Sequence, residues 1–211
     1  MNGKLLDNRY QLVEFIGQGG MALVYKALDQ RTHHYVAVKI LKPEYNHDEE
    51  FLQRFSREAL AAILEEARLA PSWKNQQTAR CYAVITPETL EDLRAAVLPS
   101  FNQNSSAGAA LVVTTYVKGV VGFNSDGTPV NEIGNGWGAY DLGLHDAYLV
   151  LAAKNAGYDT LIMGIRDADA IRERLSIPEN EEIMSVIAVG KAAEEPGLRP
   201  RKAPEEVTRF F

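Results

Sequence analysis

The chain has 211 residues, 46% of them hydrophobic and 24% charged, with a formal net charge of −6. That is an ordinary globular balance, enough for one sizeable core or for one domain with a smaller attachment. The negative charge disfavours nucleic acid or an anionic membrane as the main partner. The single cysteine, Cys81, excludes an internal disulfide and a cysteine-rich metal site. No apolar run reaches the length of a bilayer span. The opening MNGKLLDNRYQ lacks the basic and apolar regions of a signal peptide, so the expected location is cytoplasmic.

In chain order, residues 10–41 alternate as strands around a turn carrying Gly17, Gly19 and Gly20, and YVAVKIL carries Lys39 on the last of them. Glycines let backbone N–H groups approach a phosphate closely, and a lysine on the next strand adds a positive charge. RFSREALAAILEEARLAPSWKNQQ, residues 54–77, reads as one helix flowing into a loop. Leu60, Ile63, Leu64 and Ala67 form its apolar face, and Pro71 ends it. CYAVIT is a strand, which makes Cys81 a buried strand thiol rather than a nucleophile. Pro87 opens a helix over ETLEDLRAAVL, and ALVVTTYV is the next strand. A loop rich in glycine and asparagine covers 118–136, followed by the long apolar helix WGAYDLGLHDAYLVLAAKNAG with Gly157 as its C-terminal stop. A strand at 160–163, a helix opened by Asp167 and the strand IMSVIAVG complete the series. Mixed helices and strands predict an α+β or α/β class.

The first segment resembles the N-lobe of bacterial serine/threonine protein kinases of the PASTA type. Gly17-Gln18-Gly19-Gly20-Met21-Ala22-Leu23-Val24-Tyr25 is similar to their glycine-rich loop, with Ala22 at the third glycine position. Val36-Ala37-Val38-Lys39 resembles the lysine strand, and RFSREA the helix that supplies Glu58 as partner of Lys39. The resemblance implies a nucleotide-binding remnant at Gly17, Gly19, Lys39 and Glu58. It stops near Ala59. No H-R-D with a following asparagine and no D-F-G comes later, so the aspartates that orient the hydroxyl and hold magnesium are missing. Residues 1–59 are expected to be no competent kinase. They form a partial β-meander of three strands plus a helix, with one unpaired sheet edge, and read as an appendage ahead of a working ATP site.

The rest resembles the nitroreductase family of FMN-dependent oxidoreductases. The resemblance rests on EEARLAPSWKNQQ, on GNGWGAYDLGLHDAYLVLAAKNAGYDTLIMGIRDADAIRERLSIPE and on SVIAVGKAAEEPGLRPRKAPEEVTRFF. It implies an α+β domain over 60–211, a central sheet flanked by helices, assembled as an intertwined homodimer with FMN at the interface. Pro71, Ser72, Asn75 and Gln77 match the loop against the flavin ring, where amides and hydroxyls satisfy the ring's carbonyls and N3–H. Met163 and Gly164 match the turn near its reactive face. Arg199 and Arg201, with Lys202 beside them, match the cluster that holds the phosphate. Gly164 also reads as an ordinary turn glycine, and the two arginines as solvated surface charges. Trp137, Tyr140 and Leu144 read as core or dimer packing, and His145 as a packed polar residue rather than an acid or ligand. No metal site is expected.

The implied chemistry belongs to the cofactor. FMN takes hydride from NADH or NADPH and reduces nitro compounds, quinones or similar acceptors, so no acid–base pair is required of the chain. The family's usual first helix, with its phosphate-binding R-x-S-x-R pattern, is replaced here by the kinase-like segment. The readings are a flavin oxidoreductase with an unusual N-terminal extension, an ATP-binding kinase remnant without phosphotransfer, and a non-catalytic chimera.

Overall fold

The computed structural model describes residues 2–20, 22–42, 49–194, 197 and 199–211, with 49–56 described by backbone alone. Met21 of the glycine-rich stretch and the side chains of 54–56 lie outside the described residues. The chain divides into two compact units, Met1–Ala62 and Ile63–Phe211.

The first unit is an antiparallel sheet in the order β1-β2-β3-β4, with β1 at Leu5–Leu6, β2 at Tyr10–Gln18, β3 at Ala22–Asp29 and β4 at Tyr35–Leu41. The sheet has four strands where the sequence predicts three. The extra one, β1, pairs Leu5 with Gln11 and Leu6 with Tyr10. A two-residue strand is too short to carry an alternation signal and exists only through its partner. Leu12, Tyr25 and Ala27 form a small core, with Val36, Val38 and Ile40 packed against it. Arg9 and Asp29 are buried beside that core and face each other as a fork. Arg9 Nε reaches both carboxylate oxygens at 3.0 Å, and Nη2 reaches Oδ2 at 2.6 Å. The Arg31 backbone N–H donates to Asp29 Oδ1 at 2.9 Å, so the buried carboxylate is well satisfied. The helix α1, Glu49–Ala67, spans the division between the two units, with Glu49–Ala62 in the first and Ile63–Ala67 in the second.

The second unit is a sheet of order β5-β6-β8-β7, antiparallel throughout: β5 Ala79–Val84, β6 Ala110–Val117, β7 Asp159–Met163 and β8 Glu181–Gly190. Residues 111–116 of β6 are all buried, because both faces of this central strand are covered. Leu111 and Val113 point to one face, among Leu93 and Val97 of α2 (Pro87–Val97), Ile171 of α5 (Ala168–Leu175), and Met163. The short α3, Ser100–Ser105, follows α2. On the other face lies α4, Gly136–Asn155, against β5, β6 and β7. It buries Leu142, Leu149, Ala152 and Ala153 there.

The predicted helix boundaries hold through identifiable contacts. Gly157 has φ +83°. Its N–H reaches the Lys154 carbonyl at 3.1 Å and that of Tyr158 reaches Ala153 at 2.8 Å, the paired bonds of a Schellman stop. Asp167 caps α5 by accepting from the Ala170 N–H at 3.0 Å. A last turn of helix, α6, covers Pro204–Val207. No helix of the described residues is long and apolar enough to cross a membrane.

Candidate functional site

The candidate site forms where α1 gives way to β5. After Pro71 the chain makes one 3-10 turn, Trp73–Asn75. Lys74, Asn75 and Gln77 have φ of 48°, 56° and 49°, the left-handed region that side chains other than asparagine rarely enter. Such a backbone persists only where its surroundings hold it. Here the Asn75 N–H donates to the Ser72 carbonyl and the Gln76 N–H to the Trp73 carbonyl, both at 3.0 Å. The Gln77 N–H closes the loop on Ser72 Oγ at 3.0 Å. From α4, Asp141 Oδ2 accepts the Trp73 N–H at 2.9 Å. The Trp73 ring meets Trp137 edge to face at 4.6 Å, and Trp137 meets Tyr140 at 5.9 Å. Trp137 Nε1 donates to Asn131 Oδ1 at 2.9 Å. Trp137 also explains Gly122: that residue has φ +80°, and a Cβ there would stand 2.6 Å from the indole.

Beneath the loop is a cavity of about 220 Å³. Its wall is Pro71, Ser72, Gln77 and Thr78 on the loop side and Asp141 and His145 on the α4 side, with Arg68 and Arg80 also lining it. Thr78 is 4% exposed, and its hydroxyl has no hydrogen-bond partner among the described residues. A buried polar atom without a partner is uncommon and calls for one from outside the chain. His145 is oriented by Asp146, whose Oδ1 lies 3.2 Å from Nδ1, and Asp146 in turn accepts from Thr114 Oγ1 at 3.0 Å. Cys81 Sγ sits 3.8 Å from His145 Nε2. Burial first, and the Asp146 charge second, push the thiol pKa up to about 12. Cys81 is therefore a neutral strand thiol, as its apolar neighbours imply.

The expected flavin-loop residues come together only in part. Pro71, Ser72 and Gln77 line the cavity, while Asn75 stands exposed on the outside of the loop. Met163 is 2% exposed and its side chain belongs to the core. Gly164 follows it with open space where a Cβ would stand, and its carbonyl accepts from Arg166 Nη1 at 3.2 Å. Arg199 and Arg201 are exposed beyond β8 and do not line the cavity. Asp141, Thr78 and Trp73 are the residues that sequence reasoning passed over. A lone carboxylate in the otherwise uncharged first half of α4 was the available signal for Asp141.

In the first unit, Lys39 Nζ forms an ion pair with Glu58 Oε2. Gly17 and Gly20 have open space at the Cβ position, and the Gly19 N–H donates to the Ala22 carbonyl at 2.8 Å. Lys42 Nζ donates to the Gly20 carbonyl at 3.1 Å. No cluster of metal-binding side chains occurs among the described residues.

Sheet, helices and loop together define the α+β fold of flavin oxidoreductases. The model of the nitroreductase family matches residues 53–191, and the chain belongs to that family. Three solved structures share the fold. A protein of Exiguobacterium sibiricum, assigned as a nitroreductase and solved in complex with FMN, aligns with TM-score 0.65 at 22% identity, over 74% of this chain and 87% of that one. A nitroreductase-like protein of Streptococcus mutans gives 0.63 at 23% identity, over 74% and 87%. A Staphylococcus epidermidis protein assigned as an NAD(P)H:FMN oxidoreductase gives 0.61 at 22%, over 74% and 85%.

About 60 N-terminal residues are similar instead to serine/threonine-protein kinases. The identity is 51% over 61 residues to one of Clostridium perfringens, and 50% over 60 residues to PrkC of Bacillus subtilis. The match takes 29% and 28% of this chain, but spans only 9% of either kinase. The similarity is consistent with a fragment of a kinase N-lobe.

Proposed function

We propose that the chain is a cytoplasmic, FMN-dependent NAD(P)H oxidoreductase of the nitroreductase type that reduces nitro compounds, quinones or similar small acceptors as a homodimer. The observation that carries this reading is the loop 71–77, left-handed at Lys74, Asn75 and Gln77, beside a cavity where the buried Thr78 hydroxyl has no partner among the described residues. Ser72, Gln77 and Thr78 offer the mixture of donors and acceptors that the carbonyls and N3–H of a flavin pyrimidine need. When bound, the flavin supplies the two-electron chemistry between NADH or NADPH and the acceptor. The chain's part is to hold and orient it. Asn75, exposed on the loop, and the backbone at Met163 and Gly164 complete the polar surroundings of the ring. Arg199 and Arg201 offer paired guanidinium donors to the phosphate.

The arginines do not line the loop's cavity, which suits a site divided between two protomers. Support for a second copy comes from α4. Its inner side packs on the sheet, yet Tyr140, Tyr148 and Leu151 are 60%, 42% and 63% exposed on the outside. A helix apolar all round is one that is covered all round. The test is FMN-dependent oxidation of NADH or NADPH by the purified chain with menadione or nitrofurazone as acceptor. Turnover that rises with added FMN supports the reading, and none at saturating FMN contradicts it.

The Lys39–Glu58 ion pair favours a second reading for the first unit, a nucleotide-binding remnant around Gly17 and Gly19. It requires that Mg–ATP raise the melting temperature in wild type and leave Lys39→Ala unchanged. In sequence origin we place the seam at 59/60, with a kinase-like segment before it and the flavin domain, short of its usual first helix, after it. A non-catalytic chimera is the outcome if neither test succeeds.

A further inference from the structure

The 3-10 turn at Trp73–Asn75 lacks the cap its own sequence promises. Ser72 stands at the N-cap position but makes no side-chain capping bond, because its hydroxyl is engaged by the Gln77 N–H that closes the loop. The Trp73 N–H, first in the turn, has no partner within the turn whether or not Ser72 caps it. It is answered from outside, by a carboxylate on another element: Asp141, 5% exposed, on the buried side of α4. One helical turn before Asp141, Trp137 holds the Trp73 ring edge to face. α4 thus grips one residue of the loop twice, by its backbone and by its ring.

We infer that Asp141 is a positioning residue which, with Trp137, fixes loop 71–77 in its flavin-binding shape before any flavin arrives. The inference rests on the flavin reading for its functional meaning, but the clamp itself is a property of the free chain. A carboxylate is suited to the task because a charge-assisted bond to a backbone N–H is stronger than a neutral one. Its burial is explained by the bond it makes, since a buried carboxylate without a partner is strongly disfavoured. The left-handed residues at 74, 75 and 77 are what the clamp has to hold.

The chain carries its own reporter, because it has 2 tryptophans and they are the two rings of the clamp. Lys74 is exposed in the loop and provides a tryptic site. Asp141→Ala and Asp141→Asn in the full chain are compared with wild type by tryptophan emission, by the rate of tryptic cleavage after Lys74, and by FMN affinity from flavin fluorescence. Asp141→Ala is expected to shift the emission to the red, speed cleavage at Lys74 and weaken FMN binding, each rate or affinity by about tenfold or more. Asp141→Asn, which keeps an acceptor oxygen, is expected to recover most of the difference.

Unchanged emission and cleavage in Asp141→Ala overturn the proposal. So does weaker FMN binding with both loop readouts unmoved, since that marks a direct contact, and so do equal losses in the two variants. Should Asp141→Ala fail to fold, Trp137→Phe removes one grip alone, and cleavage at Lys74 no faster than wild type overturns the clamp. If wild type binds no FMN, the flavin reading fails, while the emission and cleavage arms still judge the clamp.

Discussion

Gly138 of α4 lies directly on the ring of Tyr116 in β6: a Cβ on Gly138 would stand 2.4 Å from Tyr116 Cδ2. This contact sets how closely the helix carrying Asp141 approaches the sheet. Alanine at 138 gains helix propensity of about 0.5–1 kcal/mol. Overpacking against a buried aromatic costs about 1–3 kcal/mol, so the clash wins. Gly138→Ala is therefore expected to lower the urea midpoint of the full chain. A variant as stable as wild type would show that the helix shifts freely at this point.

In the first unit the corresponding fixed point is the Arg9–Asp29 fork. The hydrogen bond from Arg9 holds the Asp29 carboxyl well below its ordinary range, against the opposing effect of burial. A carboxylate whose pKa is depressed by folding contributes stability above its unfolded value. That contribution is complete above the ordinary value of 3.8 and is lost as the pH falls below it toward the folded value. Hydrogen exchange of β2 and β3 amides should be flat with respect to protection from neutral pH down to that range, then lose protection. Asp29→Ala removes the carboxylate that holds Arg9 in the fork and should raise exchange of the same amides at neutral pH by about tenfold or more. Equal protection in the two proteins would contradict this.

Cys81 gives a reactivity prediction. With its pKa pushed up to about 12, the thiol is almost wholly protonated at pH 8, and the thiolate is the reactive form. Ellman's reagent should label the native chain slowly at pH 8 and the urea-unfolded chain quickly, with rates differing by about a hundredfold or more. Rapid native labelling would mean that His145 makes a thiolate of Cys81 instead.

The outer face of α4 is the place to test assembly. Leu151 is 63% exposed on a helix that is apolar on both sides. Leu151→Arg places a charge in the proposed interface and should raise the dimer dissociation constant by a factor on the order of a hundred. Light scattering across a dilution series reads it. A wild-type chain that is monomeric throughout would remove the dimer from the account.

The sequence carried the long elements clearly, because each had a local device. Alternation marked β3 and β4, Gly157 and Asp167 marked the ends of α4 and α5, and Pro87 opened α2. What it could not carry depends on distant partners. β1 is two residues long and is defined by β2, and α3 is a polar SFNQNS with no apolar period. At the site, PSWKNQQ announced a polar loop but not its left-handed backbone. Nor could it announce that Trp73 would be held by Asp141 and Trp137, more than sixty positions later. At Met163 the strand position puts the side chain in the core, which depends on partners in β6 and α2 that the local sequence does not name.

The central claim is that the second unit holds a flavin although a kinase-like segment stands where the family's first phosphate-binding helix belongs. It is tested most directly by the visible spectrum and flavin content of the purified full chain, with and without reconstitution in excess FMN. The account predicts a yellow protein whose denatured supernatant contains FMN at about one per protomer after reconstitution. A colourless protein that neither retains FMN nor quenches its fluorescence on titration would contradict it.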